Sequence, residues 1–194
     1  MLRRRCIVKG MVKPLVLRRL FLAINALLIL ALIFLWSQKT SLPVYAEVPE
    51  FSLVDQSGNA FNKKSMQGSV WVADFIFTRC AGICPMMSTH TKKLQNELKV
   101  NFVSFSTDPE YDLPQILTEY ANQYGANPGR WYFLTGSKET LNLITSAFKM
   151  SPINEPMMHS ASFVLIDRDG KVRGFYDSDD PGRLLALKKD ARHL

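Results

Sequence analysis

The most pronounced pattern in the chain is an apolar run from Leu20 to Trp36, in which Asn25 is the only polar residue among seventeen. This run is at the short end of a membrane span, since about 20 apolar residues cross the hydrocarbon core of a bilayer. The charged residues that precede it are all basic: Arg3, Arg4, Arg5, Lys9, Lys13, Arg18 and Arg19. Because basic flanks stay on the cytoplasmic side, we predict a single-pass anchor at 20–36 in the inner (cytoplasmic) membrane. Residues 1–19 then lie in the cytoplasm, and residues 37–194 lie in the periplasm or an equivalent extracytoplasmic space.

A cleaved signal peptide is the alternative interpretation of this N-terminus. Val44-Tyr45-Ala46 resembles the small-residue site at which signal peptidases cut. The apolar run, however, exceeds the length of about 7–15 residues that is typical of signal peptides, and it ends ten residues before this site. We therefore favour an uncleaved anchor. Both interpretations place the remainder of the chain outside the cytoplasm.

Beyond the apolar run, the pattern changes to that of a folded domain. Residues 37–50 contain two prolines and little periodicity, which is typical of a tether, and the domain is predicted at 51–194. Val70 to Phe77 is almost continuously apolar, as in a strand buried on both faces, and Asp74 is its one acidic residue. Strands are predicted at 51–59 (running into a turn), 60–61, 70–77, 100–106, 131–134, 161–166 and 172–176. Helices are predicted at 84–98, 113–124, after Ser137, and at 181–192.

The order of these elements predicts the fold class. Strand, helix, strand and helix, followed by a hairpin and a last helix, are typical of a three-layer α/β sandwich with a mixed β-sheet. The thioredoxin fold has this order, and it places a cysteine pair at the first strand-to-helix turn of its core. We therefore predict a thioredoxin-like domain preceded by one N-terminal transmembrane helix.

The net charge of +7 does not belong to the predicted domain. Residues 1–40 contain eight of the 24 Lys and Arg residues and none of the 17 Asp and Glu residues. The remaining chain is therefore close to neutral. The basic excess is explained by the topology of the membrane segment, and nucleic acid is excluded as an expected partner.

The chain has three cysteines, and Cys80 and Cys84 lie where the strand at 70–77 gives way to a helix. Thiols at a helix N-terminus are stabilised as thiolates, the form that binds soft metals and attacks disulfides. At four-residue spacing within a helical turn the two Cα atoms are roughly 6 Å apart, which permits a disulfide and also joint ligation of one ion. A disulfide closing so short a loop stabilises the fold little, so we expect redox or ligand chemistry. Cys6 lies on the other side of the predicted membrane span, and we assign it no role.

His159 is the candidate third ligand, because it stands immediately before the predicted hairpin. In a thioredoxin-like topology this connection approaches the cysteine-bearing turn. Two thiolates and one imidazole suit copper, since sulfur holds Cu(I) and nitrogen helps to accommodate Cu(II). Zinc also accepts these ligands, but a structural zinc site requires a fourth protein ligand.

Several segments, in order along the chain, resemble motifs of the Sco/SenC copper proteins. Phe75–Pro85 resembles the signature F-x-F-T-x-C-x-x-x-C-P, and Ser106–Pro114 resembles S-x-D-P-x-x-D-x-P. Trp131–Gly136 resembles W-x-F-L-T-G. His159-Ser160 with Leu165–Gly170 resembles H-S…L-I-D-x-x-G. Because the likeness extends over about residues 50–190, it is more specific than any single motif.

The resemblance implies a membrane-tethered copper chaperone that binds copper through Cys80, Cys84 and His159. Such proteins serve assembly of the dinuclear copper centre of haem-copper (cytochrome c) oxidases, so the expected partners are the copper-centre subunit, other copper chaperones or thiol reductants, and the membrane. The alternative is a thiol–disulfide oxidoreductase, with Cys80 and Cys84 as the catalytic pair, that reduces the cysteines of the oxidase copper site. We favour the metallochaperone over an enzyme.

Four methionines flank the candidate ligands along the chain: Met86, Met87, Met157 and Met158. Thioethers bind Cu(I), so these side chains are candidates for capturing or releasing the ion. Adaptable apolar packing is the alternative, and we favour packing for each methionine taken singly.

Overall fold

The computed structural model describes residues 14–37, 42–148 and 161–194. The chain divides into two compact units, residues 1–41 and residues 42–194. The first unit contains the helix α1 (Pro14–Ser37). Within the described ranges, no helix has both the length and the apolar character that crossing a membrane requires.

The second unit combines strands and helices in the order expected from the sequence. Its strands are β1 (Ala46–Glu47), β2 (Ser52–Asp55), β3 (Ala60–Asn62), β4 (Trp71–Ile76), β5 (Asn101–Ser106), β6 (Trp131–Thr135), β7 (Ser162–Ile166) and β8 (Lys171–Asp177). Its described α-helices are α2 (Ile83–Glu97), α3 (Pro114–Tyr124), α4 (Lys138–Ala147) and α5 (Pro181–His193), and a 3₁₀ turn occupies Lys63–Met66. Every strand and helix predicted for the domain is present.

The eight strands within the described residues join one mixed sheet, in the order β1-β8-β7-β4-β5-β6-β2-β3. The central strands β4, β5 and β6 are parallel, and the other pairs are antiparallel. The apolar run of β4 is buried along its whole length, because neighbouring strands and both layers of helices cover it. The predicted α/β, thioredoxin-like architecture with a mixed sheet is confirmed.

The strand β1 was not predicted, and it brings residues 42–50 into the folded unit. Ala46 pairs with Val172 at the edge of the sheet. The backbone N–H of Tyr45 donates to the carbonyl of Val172 at 2.9 Å, and the Arg173 guanidinium donates to the carbonyl of Leu42 at 2.6 Å. The unit therefore begins at Leu42, earlier than the boundary expected from the sequence.

Side chains alternate between the two faces of the sheet and so create two separate cores. Val72 and Ile76 of β4 pack in a core to which α2, α3 and α5 contribute. Trp71, Ala73 and Phe75 of the same strand pack in a second core, to which α4 contributes. Helices thus cover both faces, which gives the predicted three layers.

Two helix ends follow the local chemistry of the sequence. The Ser137 hydroxyl accepts a hydrogen bond from the backbone N–H of Thr140 and caps α4. Gly125 ends α3 in the left-handed conformation at φ 64°, which residues with a Cβ adopt only at a cost. Both ends agree with the helices predicted at 113–124 and after Ser137.

The parallel pairing of β4 and β5 positions the candidate site. Ile76 lies in register with Ser106, so both strands end at the same edge of the sheet. The backbone N–H of Thr107 donates to the carbonyl of Ile76 at 2.8 Å and extends this pairing by one residue. The loop that carries Cys80 therefore lies beside the loop that follows β5.

Candidate thiol and metal site

Cys80 and Cys84 lie at the turn between β4 and α2, as predicted, and both are free thiols. The helix begins at Ile83, so Cys80 precedes α2 and Cys84 is in its first turn. The backbone N–H of Cys80 donates to the carbonyl of Phe77 at 3.2 Å, which closes a tight turn before the helix. The pair therefore does not share one helical turn, although the two thiols remain close enough to hydrogen bond to each other.

The environment of Cys80 favours its thiolate. Burial raises the pKa of the Cys80 thiol, but hydrogen bonds from the backbone N–H groups of Cys84, Gly82 and Ile83 and from the Cys84 thiol outweigh this effect. The net result is a pKa below the ordinary value of a cysteine. The expectation of a stabilised thiolate at the helix N-terminus is thus met at Cys80.

The environment of Cys84 has the opposite effect. Its side chain is only 1% exposed, and burial raises the pKa of the Cys84 thiol to about 12. The hydrogen bond that it donates to Cys80 and the negative charge of a Cys80 thiolate contribute to this raised pKa, and a hydrogen bond from the backbone N–H of Phe77 opposes it. The site therefore combines a thiol whose ionisation is favoured, Cys80, with a buried thiol whose ionisation is disfavoured, Cys84.

Asp74 lies on β4, on the sheet face that α2 covers, and it is 3% exposed. Burial raises the pKa of its carboxyl group to about 6, although hydrogen bonds from the Ser104 and Thr91 hydroxyl groups oppose the shift. The Thr91 hydroxyl, which belongs to α2, donates to Asp74 Oδ2 at 3.3 Å. The negative charge of Asp74 also contributes to the raised pKa of Cys84.

Arg79, which precedes Cys80, contacts the loop that follows β5. Its guanidinium Nη2 lies 2.5 Å from Asp108 Oδ2, and its guanidinium carbon lies 4.2 Å from the ring centre of Tyr111. The charge of Arg79 therefore has a carboxylate as its partner.

Asp112 is a residue beside the cysteine pair that was not predicted from the sequence. It is fully buried and accepts hydrogen bonds from Thr78 and Ser106. Asp112 belongs to the segment that resembles S-x-D-P-x-x-D-x-P, which was the available signal, but this motif does not indicate what the carboxylate contacts.

His159, Met157, Met158 and Cys6 lie outside the described residues. No group of three or more His, Cys, Asp or Glu side chains that could hold a metal ion occurs within the part of the chain that the structure describes. Met86 and Met87 are the other two of the four methionines that flank the candidate ligands. Met87 is buried and Met86 packs against the same core, in agreement with the packing interpretation.

Comparison with known proteins shows what the chain is similar to. The SCO1/SenC family model matches residues 40–191. The SCO1 protein homolog of Bacillus subtilis (strain 168) is 37% identical over 146 residues, which are 70% of this chain and 76% of that protein.

Two solved structures extend the similarity to the fold. BsSco, described as a member of the Sco family of cytochrome c oxidase assembly proteins with a disulfide switch, has a TM-score of 0.71 at 35% identity, covering 80% of this chain and 97% of that one. ScoI of Bradyrhizobium japonicum, solved with copper bound, has a TM-score of 0.61 at 25% identity, covering 77% of this chain and 100% of that one.

The family match extends over the described strands and helices of the second unit except the last two residues of α5, and the cysteine pair lies within it. Both the motifs and the fold therefore lead to the same assignment: the chain belongs to the SCO1/SenC family.

Proposed function

We propose that this protein is a membrane-tethered copper chaperone that binds one copper ion through Cys80, Cys84 and His159. The observation that carries the proposal is the thiol pair at the β4–α2 turn, in which backbone N–H groups lower the pKa of Cys80 beside a second sulfur. Family membership supports copper as the ion, because one relative was solved with copper bound. Copper is the cargo, and the thiols are its ligands in transit.

The unequal thiols suggest an order of loading. Cys80 is half-buried and favoured as thiolate, so its sulfur binds an incoming Cu(I) ion first. Cys84 loses its proton when its sulfur binds the same ion, so loading releases a proton and is favoured by rising pH. A disulfide between the two sulfurs prevents loading, which makes copper binding dependent on the redox state.

His159 is proposed as the third ligand on the chemistry of its imidazole and its place before β7 in the sequence. A neutral imidazole nitrogen binds both oxidation states of copper and stabilises Cu(II) better than thiolates alone. A site with three protein ligands leaves a coordination position through which a partner can enter. Delivery then proceeds by stepwise ligand exchange.

The proposed recipient is the copper-centre subunit of a haem-copper oxidase, supported by the description of a relative as a cytochrome c oxidase assembly protein. The proposed location is the extracytoplasmic side of the inner membrane. The apolar run Leu20 to Trp36 and the basic residues before it support this topology.

A thiol–disulfide oxidoreductase is the second candidate, and the difference between the two thiols favours it specifically. In this reaction the Cys80 thiolate attacks a disulfide of the target, forming a mixed disulfide and releasing one target thiolate. Cys84 loses its proton and attacks the Cys80 sulfur, which releases the second target thiolate and leaves the Cys80–Cys84 disulfide. The target gains the two electrons that the pair loses.

Anaerobic copper titration of the reduced, full-length protein in detergent distinguishes the two candidates when wild type and His159→Ala are compared. A chaperone binds one equivalent, and the substitution weakens binding by at least tenfold. The matched control is His193→Ala, which removes an imidazole from the end of α5 and is expected to leave the affinity unchanged.

A parallel assay follows reduction of a model protein disulfide by the same variants. If His159→Ala retains full reductase activity and wild type binds no copper tightly, the chaperone proposal is wrong and the oxidoreductase remains.

A further inference from the structure

The buried carboxylate of Asp112 joins the two loops at the candidate site. Asp112 is 0% exposed. Its Oδ1 accepts from the Thr78 hydroxyl at 2.5 Å, and its Oδ2 accepts from the Ser106 hydroxyl at 2.6 Å. The backbone N–H of Thr78 donates to both oxygens, at 3.3 and 3.2 Å. Both oxygens of the carboxylate therefore have donors in the described structure.

The donors come from two different strand ends. Thr78 follows β4 and lies two residues before Cys80, whereas Ser106 is the last residue of β5. Asp112 itself is held by its own loop, because its backbone N–H donates to the carbonyl of Asp108 at 2.8 Å. The carboxylate thus fixes the turn that carries Cys80 to the end of the neighbouring strand.

We propose that Asp112 is a positioning residue that sets the redox potential of the Cys80–Cys84 pair by acting through Thr78. Among the described contacts, the Cys80 N–H donates to the Phe77 carbonyl and the Phe77 N–H donates to the Cys84 sulfur. Thr78 and Arg79 attach the same turn to the loop after β5, and of their two carboxylate partners Asp112 is the buried one. The position of the turn relative to the start of α2 therefore depends in part on the contacts of Thr78.

The position of this turn matters for the sulfur of Cys80. The N–H groups of Gly82, Ile83 and Cys84 donate to that sulfur only while the turn and the first residues of α2 keep their present arrangement. These donors stabilise the thiolate of the reduced form, and they lose that thiolate as their acceptor when the sulfur joins a disulfide. Loosening the turn therefore weakens the reduced form more than the oxidised form, and lowers the potential.

A carboxylate suits this role better than an amide of the same shape. Three donor groups point at the two carboxylate oxygens. An amide in place of the carboxylate replaces one oxygen by an –NH₂ group, which is itself a donor and cannot accept from the donors that face it. Asp112→Asn therefore keeps the volume of the side chain but loses one acceptor. Thr78→Val removes the hydroxyl donor and keeps the branched shape, and Thr78→Ser keeps the hydroxyl.

The test equilibrates the copper-free, full-length protein with mixtures of reduced and oxidised glutathione. Free thiols are then alkylated, and mass spectrometry measures the ratio of dithiol to disulfide protein. Two protein thiols are oxidised to a disulfide as one oxidised glutathione is reduced to two thiols. We expect Asp112→Asn and Thr78→Val each to shift the equilibrium about tenfold toward the disulfide, about 30 mV for this two-electron couple. Thr78→Ser should restore the wild-type value, and the double variant should shift no further than Asp112→Asn alone.

Asp55→Asn is the matched control. Asp55 is also a buried carboxylate that accepts hydrogen bonds from its own turn, at Ser57 and Asn59, and β5 and β6 separate its strand from β4. It should lower thermal stability without changing the glutathione equilibrium.

The proposal is wrong if Asp112→Asn and Thr78→Val stay within twofold of wild type or shift the equilibrium toward the dithiol. It is also wrong if Asp55→Asn shifts it equally. The proposal concerns the thiol pair of the proposed function, but the measurement requires no copper, so failure of copper binding and failure of this inference are separate results.

Discussion

Arg79 donates a hydrogen bond to Asp108 across 2.5 Å, and thereby links the loop before Cys80 to the loop after β5. The ring of Tyr111 supports the same guanidinium from one side. Because the Arg79 side chain is 58% exposed, solvent screens this ion pair. The backbone N–H groups at the start of α2, rather than the charge of Arg79, therefore account for the lowered pKa of Cys80.

This relationship predicts that Arg79→Gln changes the alkylation rate of Cys80 by less than twofold at pH 7.5. The substitution removes a charge that Asp108 already balances, and it leaves the N–H donors to the sulfur in place. Alkylation with iodoacetamide, quenched at successive times and followed by mass spectrometry, measures the alkylation rate of Cys80. A decrease of tenfold would show that the guanidinium charge itself stabilises the thiolate.

The two cysteines should differ strongly in reactivity. Cys80 combines a lowered pKa with partial exposure, whereas Cys84 is buried and its pKa is raised to about 12. We expect alkylation of Cys80 to be at least tenfold faster than that of Cys84 in the reduced protein at pH 7.5. Peptide mapping identifies the modified residue, and Cys80→Ser and Cys84→Ser serve as the controls. Earlier modification of Cys84 is the contrary result.

Asp74 should make the stability of the protein fall as the pH rises. Its pKa is raised to about 6 in the folded state, so the folded protein binds this proton more tightly than the unfolded chain does. The free energy of unfolding then decreases as the pH rises from about 4 through about 6. The side chain of the Asp74→Asn variant cannot ionise. The free energy of unfolding of this variant, relative to that of wild type, should therefore increase by roughly 1–3 kcal/mol between pH 4 and pH 7.5.

Urea denaturation of both proteins at the two pH values measures this difference. Thr91→Val is a useful control, because it removes a hydroxyl donor to Asp74 but retains the carboxyl group, so the pH dependence should persist. If the difference in stability between Asp74→Asn and wild type is the same at both pH values, Asp74 does not titrate in this range.

The elements of the fold were predictable where local pattern and burial agree. The apolar run that became β4 needs burial on both faces, and the sheet supplies it. Ser137 as a helix cap and Gly125 as a helix end depend only on neighbouring backbone, so the sequence contains all that these predictions require. The cysteine pair was placed correctly for the same reason, since it follows β4 directly.

Features that depend on distant residues were not predictable in this way. Ala46 and Glu47 have no strand pattern, and they form β1 only because β8 offers an unpaired edge. Asp112 accepts hydrogen bonds from Thr78, 34 residues away, so no local motif reveals this contact. The unequal thiols arise from the burial of Cys84 and from the backbone N–H groups that donate to Cys80. Both are properties of the packed domain and not of the spacing between two cysteines.

The N-terminal segment yields a prediction about the mature protein. An uncleaved anchor predicts that the protein isolated from membranes still contains residues 20–36. Cleavage after Ala46 predicts instead a protein that begins at Glu47 and is released from the membrane. Intact mass and N-terminal sequencing of the membrane fraction decide between the two. A protein beginning at Glu47 would contradict the anchor.

The most direct test of the proposed copper site is X-ray absorption spectroscopy at the copper edge of the reduced protein loaded with one equivalent of Cu(I). We predict scattering from two sulfur atoms and one imidazole nitrogen in wild type, from Cys80, Cys84 and His159. His159→Ala should lose the imidazole contribution and keep both sulfurs. An identical spectrum for the two proteins, or a shell without two sulfurs in wild type, would contradict the proposed site.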